Sequence, residues 1–244
     1  MPFSRLIADI GSPTVGSHRY QLGNGQWYDF ASERGKQDNA AILRSIVSTY
    51  GATLARFADA LDIPRGVVAG LIATESGGKM ATRPGSAFKG LMQCAAGPFY
   101  DAFVKWSAEV KGAAVPNVVR QEVAAKCPQL LQHSLSRYNP SAMSGRLGQI
   151  MESDVAFNIM AGTVILRWNL ERFAGNLNKA IIAYNAGPYN KAISVGTRAI
   201  TAPADTASLV RLPQVSTESK GYLKKMLGVG SYLALVYKEK LVNI

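Results

Sequence analysis

Residues 62–80 read Asp-Ile-Pro-Arg-Gly-Val-Val-Ala-Gly-Leu-Ile-Ala-Thr-Glu-Ser-Gly-Gly-Lys-Met, and the interpretation of the chain starts from this stretch. Asp62 can cap the start of a helix, and Pro64 suits the first turn, where the N–H that proline lacks is not needed. Glycines at 77–78 are typical of a helix end. The stretch therefore predicts one short helix between these two signals.

A single carboxylate lies on the apolar face of this predicted helix. Val68, Leu71, Ile72 and Glu75 recur at i, i+3, i+4 and i+7, so they share one stripe. Partial burial disfavours a charged carboxylate, and the negative end of the helix dipole acts in the same direction, so we expect a raised pKa for Glu75. A carboxyl group that is protonated near neutral pH can serve as a general acid. The alternative is a glutamate at the core edge that pairs with an arginine or a lysine.

The composition is that of an ordinary globular protein with a strong basic excess. The chain has 244 residues, of which 48% are hydrophobic and 18% are charged, which is enough to bury a large core. Its 27 basic and 16 acidic residues give a net charge of +11, which favours an anionic partner such as nucleic acid, phospholipid or a bacterial cell wall. Because the basic residues form no run, we expect no nucleic-acid partner.

The residues that usually build metal centres are scarce. The chain has two cysteines, Cys94 and Cys127, whose spacing matches no zinc motif and which are either a disulfide or two free thiols. The only histidines are His18 and His133, too few for a multi-histidine metal site or for a convincing catalytic triad. The sequence thus predicts no metal and no cofactor. The N-terminal residues are too polar for a secretory signal, so export would need another device.

The hydrophobic pattern predicts a mainly α-helical protein with at most a small hairpin. Residues 1–37 are predicted to be an arm packed on the core, with a hairpin at 19–30 around a Gly-Asn-Gly turn. Helical periodicity begins at Asp38, a possible N-cap, and Gly51 is expected to separate that helix from a second one at 53–61. The later predicted segments, in chain order, are helices at 98–111, 118–136, 154–173 and 177–186, a loop at 193–215 and a packed terminal helix at 217–242. That last helix has too short an apolar run for a stable membrane span.

Four short motifs follow one another along the chain. They are Ala-Thr-Glu-Ser-Gly-Gly at 73–78, Gly-Leu-Met-Gln at 90–93, Ala-Tyr-Asn-Ala-Gly-Pro at 183–188 and Glu-Ser-Lys-Gly-Tyr-Leu-Lys-Lys at 218–225. In this order they resemble the soluble lytic transglycosylases, lysozyme-like enzymes that cut the glycan strands of peptidoglycan. The resemblance extends over residues 55–240 and implies a lysozyme-like domain at 38–244. The long path at 94–157 is then a helical insertion, either bordering the cleft as a lid or partner contact or serving only in packing.

The resemblance implies roles for individual residues. Glu75 would be the catalytic acid, and the substrate-binding residues would be Ser76, Met92, Gln93, Tyr184, Asn185 and Tyr222. For Tyr184 the alternative is a core tyrosine, and for Met92 it is gap-filling. The chain departs from the family pattern after Gln93, where Cys94 stands in place of the usual aliphatic residue.

The resemblance also implies a mechanism that needs only one carboxylate. Most glycoside hydrolases require a second carboxylate across the bond, and Asp101, Glu152, Asp154 and Glu218 are candidates that each have a capping or surface explanation. In the family, the N-acetyl group of the substrate stabilises the developing cation, and the glutamate then deprotonates the C6 hydroxyl to give a 1,6-anhydro product. We expect cleavage between N-acetylmuramic acid and N-acetylglucosamine in this way.

Other functions remain open at this stage. They are a hydrolytic muramidase of the same fold, a peptide cross-link endopeptidase using a Cys/His pair, and a non-enzymatic wall-binding or virion module. The basic charge and the absence of a signal favour a bacteriophage lytic enzyme, in the virion or released to the host periplasm, with other virion proteins as further partners.

Overall fold

The computed structural model describes residues 19–21, 27–29, 36–80, 84–109, 114–187, 215–227 and 231–239. Nine α-helices lie within these ranges. They are α1 (Lys36–Ala60), α2 (Arg65–Ser76), α3 (Ala96–Glu109), α4 (Asn117–Lys126), α5 (Pro140–Ser153), α6 (Val155–Arg172), α7 (Leu177–Ala186), α8 (Thr217–Leu227) and α9 (Tyr232–Glu239). Two short 3-10 turns, Pro128–Gln132 and Leu135–Arg137, connect α4 to α5. The predicted mainly α-helical fold class is confirmed.

Two three-residue strands form the predicted hairpin. Strand β1 (Arg19–Gln21) pairs antiparallel with β2 (Trp27–Asp29), and Tyr20 lies opposite Tyr28. The rest of the 1–37 arm before α1, and all but the last residue of the loop predicted at 193–215, lie outside the described residues. The division into an arm, a domain and an insertion at 94–157 stays a prediction.

Helix α1 continues through Gly51, so the predicted break there is wrong. Leu43, Leu54 and Phe57 are all fully buried on one continuous face, and this packing outweighs the roughly 1 kcal/mol cost of a glycine inside a helix. The helix also begins before Asp38, at Lys36, so Asp38 is not its cap.

Helix α2 lies in the centre of the packing. It begins after Pro64 and ends at Gly77, which has φ of 62°, so both of these predicted signals hold. The predicted capping by Asp62 is wrong, because this residue turns the chain with φ of 51° and its carboxylate pairs with Arg167 at 3.4 Å. Every residue from 66 to 73 is buried, so the apolar stripe is part of a helix enclosed on all sides.

Helix α9 packs closely against α2 because two residues of α2 lack side chains. A Cβ at Gly66 would lie 2.4 Å from Val236, and a Cβ at Gly70 would lie 3.1 Å from Leu233. Both distances are shorter than ordinary van der Waals contact, so an alanine at Gly66 would displace α9.

Two predicted helices are shorter in the structure than in the sequence pattern. The helix expected at 118–136 ends at Lys126, and Pro128 then opens a 3-10 turn, since proline lacks the N–H that a continuing helix requires. The terminal helix expected at 217–242 is two helices, α8 and α9, and glycines 228 and 230 fall between them in the sequence. Within the part of the chain that is described, no helix combines the length and the apolar character of a membrane span.

Helix α6 is the second buried axis of the fold, and it packs against α3, α5 and α7. Asp154 caps its start by accepting a hydrogen bond from the backbone N–H of Phe157 at 2.9 Å. Helix α7 matches its predicted bounds, with Asn176 capping the start by accepting from the Lys179 N–H and Gly187 at the end with φ of 83°.

Candidate active site

Glu75 lies in the last turn of α2 and is covered by α8. Its side chain is partly buried, and the hydroxyl of Tyr222 donates a hydrogen bond to its Oε1 atom at 2.5 Å. Tyr222 itself is 7% exposed, so the contact lies largely away from solvent. The structure thus brings together two residues predicted for the site, 147 positions apart in the chain.

Burial raises the pKa of Glu75 to about 7. The hydrogen bond from Tyr222 acts in the opposite direction, because a donor stabilises the charged carboxylate. At neutral pH the group is therefore divided between acid and carboxylate, which suits a residue that gives and then takes a proton.

Helix α8 also places one charge of each sign near Glu75. Glu218, Tyr222 and Lys225 follow i, i+4 and i+7, so they share the helix face that meets the carboxyl group. The positive charge of Lys225 lowers the pKa of Glu75, whereas the negative charge of Glu218 raises it. Both side chains are exposed, so their influence depends on the ionic strength.

Hydrogen bonds from the Asn158 side chain hold the Gly90–Gln93 turn against α6. The side chain of Asn158 accepts from the Met92 N–H at 2.9 Å and donates to the carbonyl oxygens of Lys89 and Met151 at 2.8 and 3.0 Å. A Cβ at Gly90, which has φ of 70°, would lie 2.3 Å from the Asn158 amide nitrogen. Only glycine therefore allows this turn to lie so close to α6.

Tyr184, on α7, also hydrogen bonds to the Gly90–Gln93 turn. Its hydroxyl donates to the carbonyl oxygen of Met92 at 2.8 Å and lies 3.4 Å from the Cys94 sulfur. Burial raises the pKa of Tyr184 well above its usual value, and the charges of Cys94 and Glu75 act in the same direction. These contacts agree with the core-tyrosine interpretation, while the location beside Glu75 agrees with the site interpretation.

Asn185, the next residue on α7, is held by the first turn of α8. The hydroxyl of Ser219 donates to Asn185 Oδ1 at 2.9 Å, and Asn185 Nδ2 lies 3.5 Å from Glu218 Oε1. Ser216 precedes α8 and caps it, since its Oγ accepts from the Ser219 N–H at 3.1 Å. Neither Ser219 nor Glu218 was among the predicted site residues.

Two predicted substrate-binding residues make local contacts. Ser76 Oγ donates to the Ile72 carbonyl oxygen at 3.1 Å and accepts from the Gly78 N–H, so it closes α2. Gln93 has φ of 44°, and its side chain donates to the Gly90 carbonyl oxygen at 2.6 Å. The assignment of both to substrate binding stays a prediction.

Met92 is fully buried against α6. A Cβ at Gly162 would lie 2.6 Å from the Met92 sulfur, so this glycine provides the space that the thioether fills. This is the gap-filling position expected of methionine. A direct contact between Met92 and a sugar stays a prediction that the burial of its side chain does not favour.

The candidate second carboxylates fall into two groups. Asp101 pairs with Lys105 at 3.2 Å, Glu152 with Lys89 at 3.1 Å, and Asp154 with Lys126 at 2.7 Å. Glu218 differs from these three, because it lies beside Asn185 and influences Glu75 electrostatically. The sequence carried a signal for this, since Glu218 precedes Tyr222 by one helical turn.

Both cysteines are free and buried, so the disulfide alternative is wrong for this structure. Burial raises the pKa of Cys94 to about 12, which leaves a thiol rather than a nucleophilic thiolate. His133 accepts from or donates to the Tyr100 hydroxyl at 2.7 Å. These contacts give no support to a Cys/His endopeptidase. Among the described residues, no three His, Cys, Asp or Glu side chains cluster in a way that could hold a metal ion.

Comparison with known proteins gives one match. Residues 116–202 match the family model described as the transglycosylase SLT domain. This range begins inside the predicted insertion and contains Tyr184 and Asn185, but it does not include Glu75, the Gly90–Gln93 turn or Tyr222. No curated protein and no solved structure matches the chain.

Proposed function

We propose that this chain, whose residues 116–202 match the transglycosylase SLT domain, is a lytic transglycosylase that degrades peptidoglycan, and that Glu75 performs its chemistry. The proposed reaction breaks the bond between N-acetylmuramic acid and N-acetylglucosamine and leaves a 1,6-anhydro end. The observation that carries this proposal is the partly buried Glu75 carboxyl group, with a pKa of about 7 and a hydrogen bond from Tyr222.

In the first step the protonated Glu75 donates its proton to the glycosidic oxygen while the bond from C1 to that oxygen breaks. The N-acetyl oxygen of the same sugar stabilises the positive charge at C1, as the family resemblance implies. Glu75 is now a carboxylate, and the Tyr222 hydroxyl stabilises it through the 2.5 Å hydrogen bond.

In the second step the Glu75 carboxylate removes the proton from the C6 hydroxyl, whose oxygen bonds to C1. This returns the proton to Glu75 and consumes no water. One group with a pKa near the working pH can act in both directions, because neither protonation state is strongly favoured.

We propose that Asn185 and Tyr222 contact the sugar directly, since Tyr222 donates to Glu75 and the partly exposed Asn185 is held by Ser219 on the same helix. Gln93 is proposed to contact the sugar from the Gly90–Gln93 turn. Tyr184 and Met92 then contribute by holding that turn in place, and Ser76 by closing the helix that carries Glu75.

The position of Glu218 favours one alternative, a hydrolytic muramidase. A second carboxylate near the bond can activate a water molecule, as in inverting glycosidases. Under this alternative Glu218 is essential and the product carries a reducing end. Under the proposed transglycosylase reaction Glu218 is dispensable for bond cleavage.

Mass spectrometry of muropeptides from digested sacculi tests both proposals. We expect wild-type protein to release anhydro-muropeptides, which are lighter by one water than reducing ends, and we expect E75Q to lower turnover by at least about a hundredfold. E218Q should release the same anhydro products. Reducing ends that disappear in E218Q would establish the muramidase, and near-normal turnover of E75Q would refute the assignment of the acid.

We further propose that the protein acts as a bacteriophage lytic enzyme, in the virion or at the host cell wall. The net charge of +11 supports adsorption to the anionic wall polymers. Fractionation of an infected culture tests this: the protein should sediment with virions or with sacculi, and an exclusively cytosolic location would contradict it.

A further inference from the structure

We infer that Ser219 is a positioning residue that fixes the orientation of the Asn185 amide, and that Asn185 therefore meets the substrate as a hydrogen-bond donor. This inference rests on the proposed function, since it concerns the same cleft. It starts from the polar contacts between α7 and the first turn of α8.

The contacts form a series of hydrogen bonds in which each hydroxyl group donates to one defined acceptor. The Ser216 hydroxyl donates to Ser219 Oγ at 3.1 Å, and the Ser219 hydroxyl donates to Asn185 Oδ1 at 2.9 Å. Asn185 Nδ2 then points to Glu218 Oε1 at 3.5 Å. Each hydroxyl in this series donates once and accepts once.

The Glu218 carboxylate at the end of this hydrogen-bond series determines the orientation of the Asn185 amide. An ionised carboxylate only accepts hydrogen bonds, so the NH₂ group of Asn185 must face Glu218 and its carbonyl must face Ser219. A reversed amide would place two acceptors, Oδ1 and the carboxylate, against each other. The oxygen of the amide is thereby occupied on the buried side, where Ser219 is 1% exposed.

The consequence concerns what the cleft can recognise. With its carbonyl engaged by Ser219 and one N–H directed at Glu218, the partly exposed Asn185 amide has its second N–H to offer to a ligand. The complementary group on an N-acetylated sugar is an acceptor, such as the acetamido carbonyl oxygen or a ring hydroxyl oxygen. Ser219 does not need to touch the substrate for this selection, because it acts through Asn185.

Helix α8 links this orientation to the acid. Ser219 lies in the first turn of α8, and Tyr222 lies one helical turn later. Tyr222 donates a hydrogen bond to Glu75. Ser216 fixes the start of the helix by accepting from the Ser219 N–H. One helix terminus therefore aligns the sugar-binding amide with the acid.

Kinetics of defined glycan strands test the inference with S219A, S219T, N185A and the double variant S219A/N185A. We expect S219A to lower kcat/KM about tenfold, the size expected for the loss of one well-formed hydrogen bond in the active complex. S219T keeps the hydroxyl and should recover most of the activity. In the N185A background the Ser219 substitution should cause less than about a twofold further loss, because the two residues act as one unit.

The controls separate this role from general stability. S153A removes an exposed hydroxyl that donates to the Gln149 carbonyl oxygen on α5, and it should keep wild-type kinetics. Additive losses in the double variant, or an S219A enzyme with wild-type kcat/KM, would overturn the inference and leave the proposed function intact. An active E75Q enzyme would instead refute the proposed function, whatever the Ser219 variants show.

Discussion

Glu75 on α2 and Asn158 on α6 are both polar side chains on helices that are otherwise packed in the core, yet their surroundings differ. Asn158 is fully buried, and three hydrogen bonds engage its oxygen and its nitrogen. Glu75 is partly buried and is bonded to Tyr222, and burial shifts its pKa to about 7. The difference indicates that Asn158 stabilises the fold, whereas a carboxyl group with a pKa shifted by burial is typical of a functional site.

Removing the side chain of Asn158 should have the largest effect on stability. N158A leaves the Met92 N–H and the Met151 carbonyl oxygen buried without this partner, and it removes one of the two hydrogen bonds to the Lys89 carbonyl oxygen. We expect the free energy of unfolding to fall by about 3 to 5 kcal/mol, which urea unfolding would measure. The Gly90–Gln93 turn should also lose its position, so activity should fall with stability.

The matched control is N139A. Asn139 is exposed and caps α5 by accepting from the Ala142 N–H at 3.2 Å, so its loss should cost only about 1 kcal/mol. Equal losses for N158A and N139A would contradict the contrast between a buried, fully bonded amide and a surface one.

Substitution of Glu75 should increase the free energy of unfolding, whereas substitution of Asn158 should decrease it. A carboxyl group whose pKa rises from 4.5 in the unfolded chain to about 7 in the folded protein makes folding less favourable as the pH increases between these two values. E75Q removes this effect, so it should be more stable than wild type at pH 8 by on the order of 2 kcal/mol. At pH 4 both states of the wild type are protonated, and the two proteins should unfold at similar urea concentrations.

E152Q is the control for this measurement. It neutralises a half-exposed carboxylate that pairs with Lys89 at 3.1 Å, so the change should be below about 1 kcal/mol at either pH. If the difference in unfolding free energy between E75Q and wild type is the same at pH 4 and pH 8, Glu75 has an ordinary pKa.

The smallest predicted effect concerns the hydroxyl of Tyr222. Its hydrogen bond lowers the pKa of Glu75, so Y222F should raise that pKa and extend activity to higher pH. The measurement is kcat/KM against pH. Y138F removes a hydroxyl that contacts Asp101 away from Glu75, and its profile should coincide with that of wild type.

Local patterns along the chain predicted the parts of the structure that depend on neighbouring residues. The spacing of Val68, Leu71 and Glu75 gave α2 and the buried carboxyl group, and the bounds of α7 followed from Asn176 and Gly187. The hairpin followed from a Gly-Asn-Gly turn between aromatic residues.

Contacts between distant parts of the chain could not be predicted in this way. The burial of Met92 depends on the absence of a side chain at Gly162, and the role of Ser219 depends on Asn185, 34 positions away. The predicted break at Gly51 was wrong because glycine lowers helix propensity only modestly. Packing of the helix against distant parts of the chain outweighs this cost, and that packing is not visible in the local sequence. Glu218 was given a capping or surface explanation although it precedes Tyr222 by one helical turn, because its contact with Asn185, 33 positions earlier, depends on how α7 and α8 pack.

The close packing of α9 on the two glycines of α2 has a consequence for biosynthesis. Helices α8 and α9 are translated long after α2, and they supply both the hydroxyl that contacts the acid and the cover over its helix. A nascent chain that has not yet reached Thr217 therefore contains the acid without its partners. The hydrogen bond to Glu75 and the cover over α2 form only once α8 and α9 have been synthesised.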